Sequence, residues 1–471
     1  MLLGVMVLCG LAVLVPVVMA QLAVSVPDNN GAIALDENRD LMSMAMNHGD
    51  TRSHRQTRIG DALPGTDPQA FEEAKNTFGE IENIHDGLGP TFNERGCGSC
   101  HTTPVVGGSG EQIERRFGRV EDGVFLAFDI DEDNQGGTLR QLFSVGTYHH
   151  GSIECTIPVE TTPSNANVRN VGRRTQPLFG LGLVDAMPDA FFDRLADAQP
   201  ASVRGIVNRV PVVLPDPRDP SQRIGSMRVG RFGWKGLIPS LLVFSGDAYD
   251  NEMGITTQSC FDGVSILEFA EENFPNNVPP PEGCNGGDLA PSQPDHPDVP
   301  VFTDDAVGPC NGGLTEIQDD LVLFTTFMEL LAPPPRDFSD PKSIRRGEPL
   351  FTQIGCAHCH VTTIFVTPRR PFNGVPGHFA FHPYSDFLVH DMGSLGDRIG
   401  ETGDSIPQTR LMRTQPLWGT RFNKRFLHDG RAGNIQEAIQ AHDGQGAAAR
   451  DAFNALDSAD QHALIQFVHS L

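Results

Sequence analysis

The stretch FNERGCGSCH (92–101) recurs later in the chain as FTQIGCAHCH (351–360), with the phenylalanine, the glycine, both cysteines and the histidine in register. A second pair of segments, RRTQPLFG (173–180) and MRTQPLWG (412–419), follows in the same order. Self-similarity at matched positions is the signature of an internal duplication. The sequence therefore predicts two related domains, each built around one Cys-x-x-Cys-His motif.

The boundary between these domains is predicted at a proline-rich segment that reads APPPRDFSDP, because prolines interrupt regular structure. We expect domain 1 at 61–335 and domain 2 at 336–471, after a flexible and polar N-terminal arm at 21–60. Domain 1 is the longer. The additional residues of domain 1 are interpreted as a long loop at about 256–312 and a small β element at about 118–160.

Charge and the N-terminal sequence indicate the compartment. The chain of 471 residues has a formal net charge of −25, which excludes nucleic acid as a favoured partner because phosphates would be repelled.

Its first twenty residues, MLLGVMVLCGLAVLVPVVMA, are almost purely apolar and are typical of a secretory signal peptide, 1–20. If this segment stayed uncleaved, it is long enough to anchor the protein in a membrane. We expect an exported protein, periplasmic or otherwise extracytoplasmic.

Four cysteines remain outside the two motifs and the N-terminal segment, namely Cys155, Cys260, Cys284 and Cys310. In an oxidising compartment, an even number of spare cysteines predicts one or two structural disulfides. Four cysteines allow three pairings. The sequence does not choose among them.

The Cys-x-x-Cys-His motif has three chemical interpretations. A structural zinc site needs four ligands, whereas these two cysteine pairs lie far apart in sequence and each ends in its own histidine. A thioredoxin-type dithiol does not need that histidine. Haem c uses every residue of the motif, because two thiols bond the haem vinyl groups and the histidine binds the iron. The motifs therefore predict two covalently bound haems c, attached through Cys97 and Cys100 and through Cys356 and Cys359, with His101 and His360 as proximal ligands.

The sixth ligand of the second haem is predicted from the segment 425–444. Ile435 and Ile439 lie on one apolar helical face that ends at His442. His442 is interpreted as the iron ligand, and a core histidine is the alternative. Met392 and Met412 are rival thioether donors.

The sixth ligand of the first haem is predicted from another helical segment, 239–254, which has Met253 on one apolar face. Met253 is the predicted axial donor, and a core methionine is the alternative. Met187, His149 and His150 are weaker candidates.

Three further residues are candidates for the surroundings of the haems. Arg174 and Arg413 are repeated in both halves, and they match the haem propionates because guanidinium pairs well with carboxylate. Trp234 is a candidate aromatic at a haem edge, with core packing as the alternative.

A polar cluster and an acidic loop complete the candidates. His428, Asp429 and Arg431 are the predicted acid–base and charge-stabilising groups for cleavage of a peroxide O–O bond, with helix capping as the alternative. The segment DIDEDNQG (129–136) resembles a calcium loop. Its sixth position is asparagine and no glutamate closes it, so this resemblance is partial.

Six parts of the chain together resemble the di-haem oxidoreductase family, which is related to the bacterial di-haem cytochrome c peroxidases. They are GLGPTFNERGCGSCH, RTQPLFGLGL, RFGWKG with NEMGIT, YSDFLVHDMG, RTQPLWG and FLHDGRAGNIQEAIQAH, and the resemblance covers residues 70–471. It implies a mainly α fold in which two cytochrome c-like helical domains face each other, the first enlarged by loop and small β insertions. It also implies reduction of hydrogen peroxide with electrons from a small donor protein such as a cytochrome or a cupredoxin.

The same resemblance bears on His442. In the bacterial peroxidases, the histidine of an HxG segment is followed fourteen residues later by the methionine that binds the second haem. In this chain, fourteen residues after His428 stands His442, so the resemblance implies the same ligand position with imidazole as the donor. A second imidazole stabilises ferric iron. Which haem binds peroxide therefore stays open, and a purely electron-transferring cytochrome with both haems six-coordinate is the alternative function.

Overall fold

The computed structural model describes residues 58–84, 86–128, 137–150, 153–216, 222–255, 257–261, 264–268, 319–366 and 379–471. All of them belong to one compact unit, 34–471, and the domain boundary after residue 335 stays a prediction. The predicted signal peptide, nearly all of the predicted arm and the partial calcium loop lie outside the described residues. No helix in the described part of the chain is both long and apolar enough to cross a membrane.

Helices occur throughout the described residues. In chain order they are α1 (Pro68–Phe78), α2 (Cys97–Cys100), α3 (Leu181–Asp185), α4 (Asp189–Ala198), α5 (Leu241–Met253), α6 (Asp319–Leu330), α7 (Pro341–Gln353), α8 (Ile406–Thr409), α9 (Ile435–Gln440), α10 (Ala447–Ala455) and α11 (Ser458–Ser470). Short 3-10 turns add Cys356–His358, Gly393–Leu395, Thr420–Phe422 and Gly444–Gly446.

Strands are short and numerous between these helices. They are β1 (Thr91–Phe92), β2 (Ile113–Glu121), β3 (Val124–Leu126), β4 (Leu139–Arg140), β5 (Phe143–Ser144), β6 (Thr147–His150), β7 (Ile153–Thr156), β8 (Val168–Arg174), β9 (Arg209–Pro211), β10 (Met227–Val229), β11 (Thr257–Phe261), β12 (Val264–Glu268), β13 (Ile364–Val366), β14 (Phe379–Phe381), β15 (Val389–Asp391) and β16 (Leu411–Arg413). β2 is the centre of a four-stranded antiparallel sheet with β3, β4 and β8. The other pairs are two-stranded and antiparallel: β1 with β5, β6 with β7, β9 with β10, β11 with β12, β13 with β14, and β15 with β16. Cys155, on β7, is disulfide-bonded, in agreement with the predicted disulfides.

The prediction of a mainly α fold is wrong. Helix accounts for 35% and strand for 19% of the structure, with many small sheets. The apolar helical patterns predict the helices that end each half, but the segments between them pair as hairpins. Short antiparallel pairs satisfy backbone N–H and C=O groups locally, and this requires no long alternating pattern in the sequence. The β element expected at about 118–160 is present as β3 to β7, and β2 extends it.

Each Cys-x-x-Cys-His motif lies beside one cluster of buried apolar residues. The larger cluster includes Phe78 of α1 and Phe324 of α6, with Cys97 packed against it. The smaller includes Phe351 of α7 and Phe467 of α11, whose ring centres lie 5.3 Å apart. Burial of such rings is the main stabilising contribution to these helix contacts.

The helix pair α7 and α11 shows how sequence sets this packing. Asp340 caps α7 by accepting a hydrogen bond from the Ser343 backbone N–H at 3.1 Å, and Pro341 follows at the first helical position, where its missing N–H costs nothing. A Cβ atom at Gly347 would lie only 2.1 Å from the Ala463 carbonyl oxygen. Glycine at this position therefore allows the two helices to touch.

A buried ion cluster joins β8 to the C-terminal half. Asp397 accepts from Arg173 and from Lys235, both at 2.8 Å, and its own side chain is fully buried. Burial alone would raise the pKa of Asp397, but the two cations outweigh that effect and lower the pKa to about 2. Asp397 is therefore ionised in the folded protein at neutral pH.

Replacing Asp397 by alanine is expected to reduce the free energy of unfolding at pH 7 by about 3–5 kcal/mol, because two buried cations lose their counter-ion. The wild-type contribution is present above the ordinary pKa of Asp, about 4, and is lost as pH falls through the folded value. Chemical denaturation between about pH 2 and pH 7 measures both effects. As a control, Asp193→Ala removes an exposed partner of Arg209 and should cost about 1 kcal/mol or less. Equal losses in the two variants would contradict the role given to the buried cluster.

Candidate functional site

Both motifs fold into one helical turn that brings their reactive groups to one side. The backbone N–H of His101 donates to the Cys97 carbonyl at 3.1 Å, and that of His360 donates to the Cys356 carbonyl at 2.9 Å. The first motif forms α2 and the second forms a 3-10 turn. In each case the histidine follows the first cysteine by one turn, so two thiols and one imidazole line the same cavity.

The second-motif cavity is lined by Cys356, Cys359 and His360 and takes its name from them. Its volume is about 390 Å³. This is within the range of about 300–1,000 Å³ typical of cofactor and ligand sites. Its walls come from both halves of the chain and are mainly apolar. They include Phe351, Ile354, Met392, Met412, Leu417, Phe426, Ile435, Ala438, Ile439, His442, Arg174, Trp234, Arg413 and His428.

Two imidazoles lie next to each other in this cavity, with their ring planes tilted by 59°. The ring centres of His360 and His442 lie 6.5 Å apart. A metal–imidazole nitrogen bond of about 2 Å on each side, extended to the ring centres, gives a separation of about 6 Å. The spacing of the two rings therefore matches a pair of ligands on opposite sides of one metal ion.

Hydrogen bonds orient these imidazoles and the imidazole of the first motif. The Nδ1 atoms of His360 and His442 lie 2.8 Å from the backbone carbonyls of Tyr384 and Ala438, and that of His101 lies 3.1 Å from the Gly108 carbonyl. A carbonyl can only accept, so each Nδ1 holds the proton and each Nε2 keeps its lone pair. Burial lowers the pKa of His101 and of His360 to about 4 and lowers that of His442. All three rings are thus neutral and suited to metal binding.

The cavity also receives two arginines that make no hydrogen bond to a carboxylate among the described residues. The Nε atom of Arg174 is buried without a hydrogen bond, and its Nη1 donates only to the Asn423 amide oxygen. Arg413 donates to the carbonyls of Gly233 and Thr414 and to the Gln415 amide oxygen. Burial lowers the pKa of Arg174 to about 10 and that of Arg413 to about 9. Arg413 has the Asp386 carboxylate close enough to act on it electrostatically, whereas burial is the cause that acts on Arg174. Arg174 in particular therefore fits a ligand that brings its own carboxylate, as a haem propionate does.

The cysteines of the motifs are not arranged as reactive dithiols. Burial raises the pKa of Cys97 and of Cys356 to about 12 and raises those of Cys100 and Cys359 as well. Redox-active Cys-x-x-Cys pairs need a lowered thiol pKa. The thioredoxin-type interpretation is therefore disfavoured, and the second-motif cavity has the donor set, the apolar walls and the cations that a haem requires.

The first-motif cavity, lined by Cys97, Cys100 and His101, is smaller, at about 70 Å³. Met253 lines it, as the sequence predicts for an axial donor, and so does Met328 of α6. Met328 was not anticipated, because its helix reads as ordinary core. The donor chemistry fits a haem, but the apolar walls must move apart to admit a porphyrin. Met187 is not among the lining residues.

Glu252, which lines the first-motif cavity, and its neighbour Glu114 form a pair of carboxyl groups that sequence reasoning missed. Glu252, at the end of α5, lines the cavity, and its Oε2 accepts a hydrogen bond from the Asn93 amide at 3.0 Å. Burial and the neighbouring Glu114 carboxylate raise the pKa of Glu252 well above its ordinary value. Burial would also raise the pKa of Glu114, but Arg116, 2.7 Å away, outweighs it and lowers that pKa. Glu252 therefore holds a proton beside the cavity, next to an ionised Glu114.

The three residues of the predicted catalytic cluster lie together, with His428 Nε2 4.0 Å from Asp429 Oδ2, but one of them lines the cavity. His428 lines the second-motif cavity, and burial lowers its pKa to about 4, so it is neutral. Asp429 pairs with Arg431 at 2.5 Å, and the Arg431 side chain is 47% exposed. Neither Asp429 nor Arg431 is among the residues that line the cavity. Their catalytic role stays a prediction, and the geometry favours His428 among the three.

Trp234 and the repeated segments form the contact between the two halves. The indole N–H of Trp234 donates to the Arg174 carbonyl at 3.0 Å, and its own carbonyl accepts from the Arg413 backbone N–H at 2.8 Å. Gln176 donates to Gln415 at 2.5 Å, and these two glutamines occupy matching positions of the repeat. Trp234 thus bridges the two predicted propionate-binding arginines at the wall of the second-motif cavity.

Comparison with known proteins adds one family. A family model described as "Di-haem oxidoreductase, putative peroxidase" matches residues 158–270 and 300–471. The matched residues include the second motif and leave the first motif outside. A search of curated proteins finds no match.

Among solved structures, the chain is similar to one from hydrazine synthase of Kuenenia stuttgartiensis, pressurized with 20 bar xenon, at 17% identity and a TM-score of 0.24. The similarity covers 33% of this chain and 57% of that chain, so this chain spans little more than half the length of that relative. A TM-score this low establishes no shared fold.

Proposed function

Because this chain belongs to the di-haem oxidoreductase family, we propose that it is an exported enzyme with two covalently bound haems c that reduces hydrogen peroxide. A small electron-donor protein, a cytochrome or a cupredoxin, supplies the electrons. One observation above all supports the haem assignment: the ring centres of His360 and His442 are 6.5 Å apart, close to the spacing expected for two ligands of one iron. The peroxidase assignment rests on the family and on the protonated Glu252.

In this proposal each residue of the two sites has one role. When bound, the haem irons supply the redox chemistry. The thioethers would form at Cys97, Cys100, Cys356 and Cys359, and Arg174 and Arg413 would hold the propionates. His101, His360 and His442 would bind iron, and Met253 would be a ligand that must be released before peroxide can bind at the first motif.

The two sites have different roles in this proposal, electron transfer at the second motif and peroxide reduction at the first. At the second motif both His360 and His442 would bind the iron, so this site would transfer electrons and would not bind substrate. At the first motif Glu252 lies beside the cavity with a proton to give. Reduction of peroxide to water consumes protons, and Glu252 would supply one of them at the first-motif site.

Export and the choice of donor follow from sequence features. The segment 1–20 has the composition of a secretory signal peptide, which favours a periplasmic location. The net charge of −25 favours a donor with a basic docking face, because opposite charges accelerate association. Salt should therefore slow electron delivery.

Electron paramagnetic resonance of the purified full-length protein, fully oxidised and then half reduced, tests this division. We expect a low-spin ferric signal from the second-motif haem. The first-motif haem should give a high-spin signal in one of the two states, because an iron that binds peroxide needs an open sixth position. If both signals are low-spin and no high-spin signal appears on half reduction, the protein is an electron-transferring cytochrome. The neighbouring imidazoles of His360 and His442 are the observation that favours this second candidate function.

A further inference from the structure

Half-buried Cys359 lies at the end of a chain of three polar side chains, whose imidazole and carboxylate the proposed function leaves unused. Its Sγ atom lies 3.7 Å from Nδ1 of His390, and Nε2 of His390 lies 2.9 Å from Oδ2 of Asp386. The side chain of His390 is 1% exposed and that of Asp386 is 0% exposed. His390 also lines the second-motif cavity. An ordered thiol, imidazole and carboxylate therefore lie at the cavity wall.

The hydrogen bonds determine where the proton of His390 lies. Asp386 is a carboxylate that accepts from the Gln199 amide at 2.6 Å and from the Leu388 backbone N–H at 2.9 Å. A carboxylate can only accept, so the proton shared with His390 is on Nε2. Nδ1 is then an unprotonated acceptor aimed at the Cys359 thiol. This is the arrangement of a nucleophile, a base and an orienting acid that activates thiols and hydroxyls in other proteins.

The arrangement distinguishes Cys359 from the other motif cysteines. Within the described residues, Cys359 is the motif thiol that has an imidazole at hydrogen-bond distance, whereas Cys100 has the Thr175 hydroxyl. The same three side chains could be taken for a metal site, since their donor atoms lie within 4.8 Å of one another. Asp386 already accepts from Gln199, Leu388 and His390, and a structural metal would need a fourth ligand. The geometry therefore favours proton transfer.

We propose that His390 is the general base that forms the thioether between Cys359 and a haem vinyl group, with Asp386 as the residue that positions it. This inference rests on the proposed function, because it requires covalent haem at the second motif. The Cys359 thiol adds across the vinyl double bond: the S–H bond breaks, an S–C bond forms, and the proton passes through Nδ1 of His390 to the terminal vinyl carbon. The addition needs no oxidant or reductant, because every atom of the thiol and the vinyl group remains in the product.

Single-thioether variants of the full-length chain, produced in a bacterial host that exports proteins and attaches haem c, test the proposal. Cys356→Ala leaves Cys359 as the sole attachment point of the second motif, and Cys359→Ala leaves Cys356. Each is combined with His390→Gln. After non-covalent haem is extracted with acid and acetone, mass spectrometry of the proteolytic peptides measures the fraction of second-motif peptide that bears haem. The first-motif peptide of the same sample reports general haem attachment.

We expect His390→Gln to lower haem attachment by about tenfold or more in the Cys356→Ala background, because the base is lost. In the Cys359→Ala background the same change should leave attachment through Cys356 unaltered. Asp386→Asn, placed in the Cys356→Ala background, should act in the same direction as His390→Gln.

Two results overturn the proposal while leaving the proposed cofactor intact. Unchanged attachment through Cys359 after His390→Gln means that His390 is not the base. Equal loss in both backgrounds means that His390 acts only on folding. A wild-type protein without covalent haem on the second motif overturns the proposed haem c assignment, and this inference with it.

Discussion

Methionine in place of His442 is expected to raise the reduction potential of the second-motif haem by roughly 0.1–0.3 V, within the range of about 0.8 V that axial ligands span. The reason is that a thioether stabilises ferrous iron relative to an imidazole. The proposal that His442 is the ligand rests on its Nδ1, which lies 2.8 Å from the Ala438 carbonyl, and on its ring centre, which lies 6.5 Å from that of His360. Spectroelectrochemical titration of the purified protein measures the potential of each haem.

The matched control for this variant is Met392→Leu, because Met392 lines the same cavity and is the rival donor. Leucine keeps the volume and removes the sulfur, so we expect the potential of the second-motif haem to stay near its wild-type value. The opposite pattern, a shift for Met392→Leu and none for His442→Met, would assign the ligand to Met392.

Glutamine in place of Glu252 is expected to lower turnover with hydrogen peroxide by about 10²–10⁴-fold, the usual contribution of a positioned acid–base group. Glutamine keeps the shape and the hydrogen bond to Asn93 but cannot give up a proton. The wild-type turnover should fall as pH rises through the raised pKa of Glu252, because the donor is its protonated form. The variant should lose this limb of the pH profile. Steady-state kinetics between about pH 5 and pH 9 tests both statements.

A matched control is available in the same cavity. Glu94 also lines it, so Glu94→Gln makes the same replacement of a carboxyl by an amide at a second position. If Glu94→Gln were to reduce turnover as strongly as Glu252→Gln, the loss would not be specific to Glu252. If Glu252→Gln kept the full pH profile, Glu252 would not be the proton donor.

The parts of the site that lie close together in sequence are the parts that sequence could predict. One helical turn connects each first cysteine to its histidine, and the helical stripe of 435–442 places His442 on an apolar face. Both features depend on local geometry alone. The structure brings His442 and His360 together, although the assignment of His442 as a ligand stays a proposal.

What sequence could not predict depends on contacts between distant elements. Glu114 lies on β2 and Glu252 on α5, and neither glutamate has a recognisable motif. The pKa of Glu114 is lowered because the Arg116 guanidinium outweighs the effect of burial. The pKa of Glu252 is raised by burial and by the Glu114 carboxylate. The role of His390 was likewise not predicted, because its side chain contacts Cys359 and Asp386 only in the folded chain. The short strands were missed for the same reason, because their pairing is set by tertiary neighbours.

The contact between Gln176 and Gln415 has a consequence for the origin of the protein. Residues at equivalent positions of two copies touch each other where a two-fold axis passes, as in an isologous dimer. A single-domain ancestor with this segment on its surface could pair with a second copy of itself through the same glutamine. Fusion of two such genes would then join subunits that already fitted each other. The later divergence, imidazole in one site and carboxyl groups beside the other, would have begun from a symmetric pair.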